Sequence, residues 1–295
     1  MTTTGRRDHT TVLVLACASA VAVLIANISG IATGDDGVGY RAIADSLLAG
    51  DGYGYFLEDP VTIWPPVWPA LMALVALLTP LDTMGAAIAL NAAVAVGVVL
   101  TGNHLLRMVL DDRRLVMAGT FVLALGPATV GLGHVLMTDM AFALVTLWWM
   151  AALMRFRRSG SVAVLLAASL LVWLGFGLRY VGLVLIPVGG LWLLIGPKRG
   201  WQGRVRDVAV YAVAASVVPI GWMMRNHAMD GTFTGERNPS ARGLIDNAMD
   251  VAATLGRFLL PGPGNGLVKI WAVVGIVVFA AAAVVTWRVL RSTPG

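Results

Sequence analysis

The stretch SVAVLLAASLLVWLGFGLRYVGLVLIPVGGLWLLIG, residues 161–196, decides the fold class. It is 36 residues long and carries one charged side chain, Arg179. A helix that crosses a bilayer needs about 20 mainly apolar residues. The run is too long for one ordinary crossing, and Gly175, Gly177 and Arg179 interrupt it. It reads as two apolar helices in a tight hairpin whose tip, Gly175 to Tyr180, faces outward.

The rest of the chain has the same character. Of 295 residues 58% are hydrophobic and 13% charged, and the mean hydropathy is +0.81. Soluble domains are near half apolar and a quarter charged. These figures exclude a soluble enzyme, a disordered chain and a disulfide-stapled secreted domain. They predict an all-α polytopic membrane bundle, a single membrane domain over residues 1–295. The one cysteine, Cys17, lies in the first apolar run, so neither an intramolecular disulfide nor a Cys-based metal site is possible. Cys17 reads as a small packing residue.

Eight segments qualify as crossings: 11–33, 84–108, 115–134, 138–154, 161–177, 180–196, 207–224 and 267–287. The first follows Arg6 and Arg7 and is too long for a signal-peptide core, so it reads as a retained helix. Segment 66–79 is apolar but only 14 residues long, and Pro65, Pro66 and Pro69 start it. That length predicts a re-entrant or interfacial helix.

Charge sets the expected orientation. If 66–79 does not cross, one side holds Arg6, Arg7, Arg107, Arg113, Arg114, Arg155, Arg157, Arg158, Lys198, Arg199, Arg204, Arg206, Arg288 and Arg291. Those 14 of the 21 basic residues are accompanied by four acids, Asp8, Asp111, Asp112 and Asp207, leaving 7 basic and 12 acidic residues on the other side. Basic loops stay cytoplasmic, so both termini are expected in the cytoplasm of a multi-pass cell-membrane protein. The net charge of +5 therefore reports orientation and not nucleic-acid binding. Two long external loops result, 34–65 and 225–266, and loops of that length are where function is expected.

In the first loop Tyr40, Ile43, Ala44, Leu47 and Leu48 recur at helical spacing, with Arg41 and Asp45 paired on the wet face. Gly50 suits the end of that helix, and Asp36 falls at its N-cap. Two readings of Asp35 and Asp36 stand side by side. Either Asp36 caps the helix and Asp35 is solvated, or the two carboxylates form a base or a metal site at the membrane edge.

The string Asp36-x-x-x-Tyr40-x-x-x-Ala44-x-x-Leu47-Leu48-Ala49-Gly50-x-Gly52-Tyr53, followed by Trp64-Pro65-Pro66-Val67-Trp68-Pro69, resembles the start of the GT-C membrane glycosyltransferases. The similar members are the protein O-mannosyltransferases and the lipid A aminoarabinose transferases. Three further stretches resemble that family in order: Met137-Thr138-Asp139, Leu178-Arg179-Tyr180-Val181-Gly182, and Arg225-Asn226-His227 through Gly231-Thr232-Phe233. In the last, Phe233 and Thr234 replace the family's usual proline ending. The resemblance covers residues 1–235 and implies a chain that is short at its C-terminal side.

What the resemblance implies is sugar transfer from a polyprenyl-phosphate donor to an extracytoplasmic glycan, lipid or protein acceptor, with inversion. The resemblance also implies that the first-loop Asp acts as the general base. Tyr spacing favours Asp36, and the acidic pair favours Asp35. The rival class is a lipid-linked-sugar transporter or scaffold subunit, which needs no carboxylate at the outer edge.

The remaining candidates each have a plainer reading. Asp139 either caps a helix or joins His134 and Asp36 around a divalent cation. His134 is otherwise a polar interfacial residue. Arg179 either snorkels or holds the donor phosphate. Arg225 is an interface anchor or a second phosphate contact. Tyr53, Tyr55, Trp64 and Trp68 fit an aromatic belt, while Tyr40, Tyr53 and Trp64 are the candidates for sugar or acceptor contact. Asn91 and His104 read as interhelical hydrogen-bonding groups, and residues 245–259 as an amphipathic surface helix.

Overall fold

The computed structural model describes residues 3–56, 61–195, 200–236, 243–259 and a few positions between 270 and 284. Among these residues every named element is helical. The chain runs through α1 (Thr3–Ala26), α2 (Asp35–Ala49), α3 (Val67–Leu78), α4 (Thr83–Val109), α5 (Arg113–Leu125) and α6 (Pro127–Gly133). It continues through α7 (Asp139–Ser159), α8 (Val162–Leu178), a 3-10 turn (Tyr180–Val184), α9 (Leu185–Ile195), α10 (Trp201–Asp230) and α11 (Leu244–Leu259).

Five helical segments are long and apolar enough to cross a membrane: Asp8–Ala26, Thr83–Val109, Arg113–Gly133, Asp139–Ser159 and Trp201–Asp230. The protein is thus a multi-pass helical membrane protein. Three shorter apolar helices, Val67–Leu78, Val162–Leu178 and Tyr180–Ile195, complete the apolar inventory of the described residues. Most of the expected crossing 267–287 lies outside the described residues. Leu13, Ile25, Leu77, Val213 and Met224 turn outward, an arrangement that lipid tolerates and water does not.

Packing fixes the direction of each helix. Asp8 of α1 pairs with Arg113 of α5 and lies 3.9 Å from Arg107 near the end of α4, so α1 and α4 are antiparallel. Asn103 donates to Thr120 at 2.8 Å, joining α4 to the antiparallel α5. Trp148 donates to Thr101 at 3.0 Å, joining α4 to the parallel α7. Trp173 donates to the carbonyl of Ala214 at 2.8 Å, and Ser169 to that of Tyr211 at 3.3 Å, which sets α10 parallel to α8. One end of the bundle therefore gathers the end of α4, the start of α5, the end of α7 and the start of α10. Arg107, Arg113, Arg114, Arg155, Arg157, Arg158, Arg204 and Arg206 all belong to that end. The opposite end gathers α2, the start of α7, the end of α8 and the end of α10.

Several boundaries differ from the sequence reading. Helix α1 covers residues 3–26 instead of 11–33, because polar residues near its start still complete helical turns while Asn27 ends it. Asn27 donates to the carbonyls of Val23 at 2.8 Å and Gly133 at 2.9 Å. Segment 115–134 breaks into α5 and α6 at Gly126-Pro127, where Gly126 is extended (φ −66°, ψ 151°). Proline has no N–H for the ladder and disfavours α geometry in the residue before it. The hairpin reverses tightly: a Cβ on Gly182 would lie 2.4 Å from the Phe176 amide nitrogen. Beyond that turn α9 packs along α10 instead of α8.

Some single residues also move. Cys17 is exposed on α1 and not a packing residue. Trp68 is buried in the core with Tyr40 and Met72, not in an interfacial belt. Asn91 does bond between elements, donating to the carbonyls of Gly133 and Val135 at 3.1 and 3.2 Å. His104 instead faces outward.

Candidate functional site

The site begins with α2. Asp35 is its first residue, and Gly34 occupies the N-cap with extended backbone and no side-chain cap bond. The expected capping role of Asp36 is therefore wrong: Asp36 sits inside the first turn. Gly50 ends the helix in the left-handed region at φ 88°, as the sequence predicts. Two glycines let α2 approach its neighbours closely. A Cβ on Gly37 would lie 3.0 Å from the Leu136 carbonyl oxygen, and one on Gly39 would lie 2.5 Å from the Trp64 ring. The Trp64 indole thus rests on α2 and donates from Nε1 to Asp36 Oδ1 at 2.9 Å.

At the other side stands the hairpin tip. Arg179 follows α8 in extended backbone (φ −150°, ψ 133°). Its Nη1 donates to Asp139 Oδ2 at 2.6 Å, and both side chains are about a third exposed. Asp139 is the first residue of α7.

Between these two walls lies a cleft of about 280 Å³, lined by Asp36, Tyr40, Ile63, Trp64, Pro65, Arg179, Tyr180, Val181 and Thr234. Asp36, Tyr40, Trp64 and Arg179, which the sequence reading picked from distant segments, share this one cleft. Tyr40 is buried at its floor. Burial pushes its phenol above the usual tyrosine value. The Thr138 hydroxyl beside it and the Arg179 charge oppose that rise, while Asp36 and Asp139 add to it.

The other predicted residues stand elsewhere. Asp35 is exposed and outside the lining. Tyr53 lies behind Trp64, donating to its carbonyl at 2.7 Å, and burial raises the Tyr53 phenol strongly. Arg225 is also behind the wall. Its Nη1 donates to the Val61 carbonyl at 2.8 Å and Asn226 Oδ1 at 2.9 Å, and its guanidinium lies 4.6 Å from the Trp222 ring centroid. His134 ends α6 and meets Asn27 Oδ1 through Nδ1 at 3.3 Å. Among the described residues, no three His, Cys, Asp or Glu side chains gather as a metal site. The expected set of Asp36, Asp139 and His134 is not assembled, because each turns to a different partner: Trp64, Arg179 and Asn27.

Five residues to which the sequence assigns no site role, Thr62, Tyr180, Trp222, Asn226 and Asp230, hold the cleft wall in place. Tyr180 donates to the Thr62 carbonyl and receives the Trp222 indole N–H at 3.1 Å. Asn226, fully buried, donates to Tyr180 Oη at 3.0 Å and to the Phe233 carbonyl at 3.1 Å. Thr62 donates to Asp230, which also accepts from the Thr232 amide at 2.8 Å. Their one sequence signal was position: Asn226 is a lone amide at the end of an apolar helix, and Tyr180 ends the hairpin tip.

The chain matches no family model, and no curated protein matches it.

Proposed function

We propose that the protein is a membrane glycosyltransferase of the polyprenyl-phosphate-sugar class, with its active site in the cleft between Asp36 and Arg179. One observation carries this reading: a carboxylate, an indole and a guanidinium from separate segments converge on one cleft at one end of an apolar bundle. An acceptor hydroxyl or amine loses its proton to Asp36 as its oxygen or nitrogen attacks the anomeric carbon. The bond from that carbon to the phosphate oxygen breaks, inverting the centre, and the lipid phosphate leaves toward Arg179. Arg179 has five N–H donors, of which Asp139 engages one edge. The remainder suit charge that develops on the leaving phosphate. Asp36 is preferred over Asp35 because it lines the cleft and Asp35 does not.

The same reading gives eight crossings with both termini in the cytoplasm, the basic end of the bundle inside and the cleft outside. The donor's lipid tail lies in the bilayer, and the acceptor arrives from the external side.

The test uses the full chain in proteoliposomes with a panel of labelled polyprenyl-phosphate hexoses and pentoses and simple glycan acceptors. Transfer, with release of free polyprenyl phosphate, is expected for one donor. Asp36→Asn is expected to lower it about 10²- to 10⁴-fold, the range of general base catalysis. Full turnover in that variant sinks the assignment of the base. Donor binding and lipid-sugar movement without transfer in the unmodified protein favour a transporter instead.

A further inference from the structure

A second cavity lies at the basic end of the bundle, a groove of about 600 Å³ between α4, α7 and α8. It is remote from the cleft. Asp139 opens α7, and Arg155 lies about 24 Å further along it at 1.5 Å per residue. That separation approaches the roughly 30 Å thickness of a bilayer's hydrocarbon core. The groove walls are apolar and are made mostly by small side chains. Ala151 and Ala152 of α7 and Ala163 and Ala167 of α8 line a furrow beside Met108 and Val164. The rim is basic: Arg155 and Arg158 from the last turns of α7, and the His104 imidazole from α4. Both arginines are exposed, and no ion pair engages either of them among the described residues. The start of α8 contributes the positive end of its dipole to the same rim.

We infer that this groove binds an anionic glycerophospholipid, its phosphate between Arg155 and Arg158 and an acyl chain along the alanine furrow. The two halves of the site select the ligand. A polar anion does not fill an apolar furrow, and an uncharged lipid leaves two guanidinium groups at the membrane edge without a counter-charge. Arginine forks match a phosphate diester, and basic pockets between membrane helices suit such headgroups. The inference does not depend on the glycosyltransferase reading, because it uses neither the cleft nor any residue in it.

Native mass spectrometry of the full chain in detergent tests it, with phosphatidylglycerol and phosphatidylcholine of matched acyl chains and inorganic phosphate as probes. Phosphatidylglycerol is expected to bind in preference. Each arginine near a lipid headgroup contributes about fivefold, so Arg155→Gln with Arg158→Gln weakens binding roughly 25-fold. Ala167→Phe keeps the charges and fills the furrow, and it too abolishes the preference. It also keeps the inference testable if the double variant does not fold. Equal retention of phosphatidylcholine, competition by inorganic phosphate at millimolar concentration, or an unchanged preference in either folded variant overturns the inference.

Discussion

Asn226→Ala removes the amide that ties three segments of the cleft wall together. In the native protein its Nδ2 donates to Tyr180 Oη and the Phe233 carbonyl, and its Oδ1 accepts from Arg225 Nη1. After truncation the partners fare differently. Tyr180 Oη keeps the Trp222 indole donor, and Arg225 Nη1 keeps the Val61 carbonyl. The Phe233 carbonyl loses its amide donor. Phe233 is about half exposed, so its carbonyl can turn to water, and each of the three lost bonds costs about 0.5–1.5 kcal/mol. The expected destabilisation is therefore about 2–4 kcal/mol. It is local in origin, so the first region to loosen is 61–65, which Tyr180, Arg225 and Thr62 anchor. Thermal unfolding of the purified protein reads the first quantity, and amide hydrogen exchange of peptides over 61–65 reads the second. Tyr180→Phe and the double variant complete a cycle, with a coupling of about 0.5–3 kcal/mol expected for groups in one network. A loss under 1 kcal/mol with unchanged exchange refutes the claim that this amide holds the wall. Strict additivity of the two substitutions refutes the network.

Gly39→Ala is expected to destabilise the protein by about 1–3 kcal/mol, the usual cost of overpacking, because the new Cβ would meet the Trp64 ring at 2.5 Å. The indole then leaves Asp36, so the proposed sugar transfer is expected to fall as well; a variant as stable as the parent shows that the indole does not rest on α2. Tyr40 gives a pH prediction. Its phenol is raised above its ordinary value of 10.0 in the folded protein, so above pH 10 the unfolded chain has lost a proton that the folded chain keeps. Its stabilising contribution is full below that pH and is lost as pH rises toward the folded value. Tyr40→Phe should therefore show a shallower fall of stability above pH 10 in unfolding scans, and matching slopes refute it.

Much of the fold was readable because length and composition alone define a membrane helix. Helix α4 was placed within a residue at each end, and α8 likewise. The stripe of Tyr40, Ile43 and Ala44 was legible because a helix on a surface buries one face, and all three are buried. The errors came where chain direction depends on something other than apolarity. The extent of α1 was set by Asn27 and its bonds to Val23 and Gly133, a tertiary matter. The break in 115–134 had a local signal, Gly126-Pro127, that an apolar window passes over. In the site, charged residues and first-loop aromatics drew attention, and neutral amides and hydroxyls did not. Arg179 was legible as an isolated charge in an apolar run. Its pairing with Asp139 was not, since nothing in either segment announces the other. Asn226 and Thr62 carry the wall with uncharged side chains, and no pattern of charge or spacing marks them.

The two arginines that the sequence offers as candidates for a donor phosphate are not equivalent, and the difference follows from what each must give up. A phosphate that approaches Arg179 competes with Asp139. That pair is about a third exposed and engages one edge of the guanidinium, so a phosphate meets donors that Arg179 still has to offer. Arg225 holds the Val61 carbonyl and the Asn226 amide oxygen and lies over the Trp222 ring. Moving it leaves the carbonyl that positions residues 61–65 without that donor and forfeits a cation–π contact of about 0.5–2 kcal/mol. The wall that presents Trp64 to Asp36 would loosen at the moment the ligand needs it. A guanidinium available to a ligand must still have donors to offer. By that criterion Arg179 suits the phosphate and Arg225 suits the scaffold, although both stood out in the sequence for the same charge.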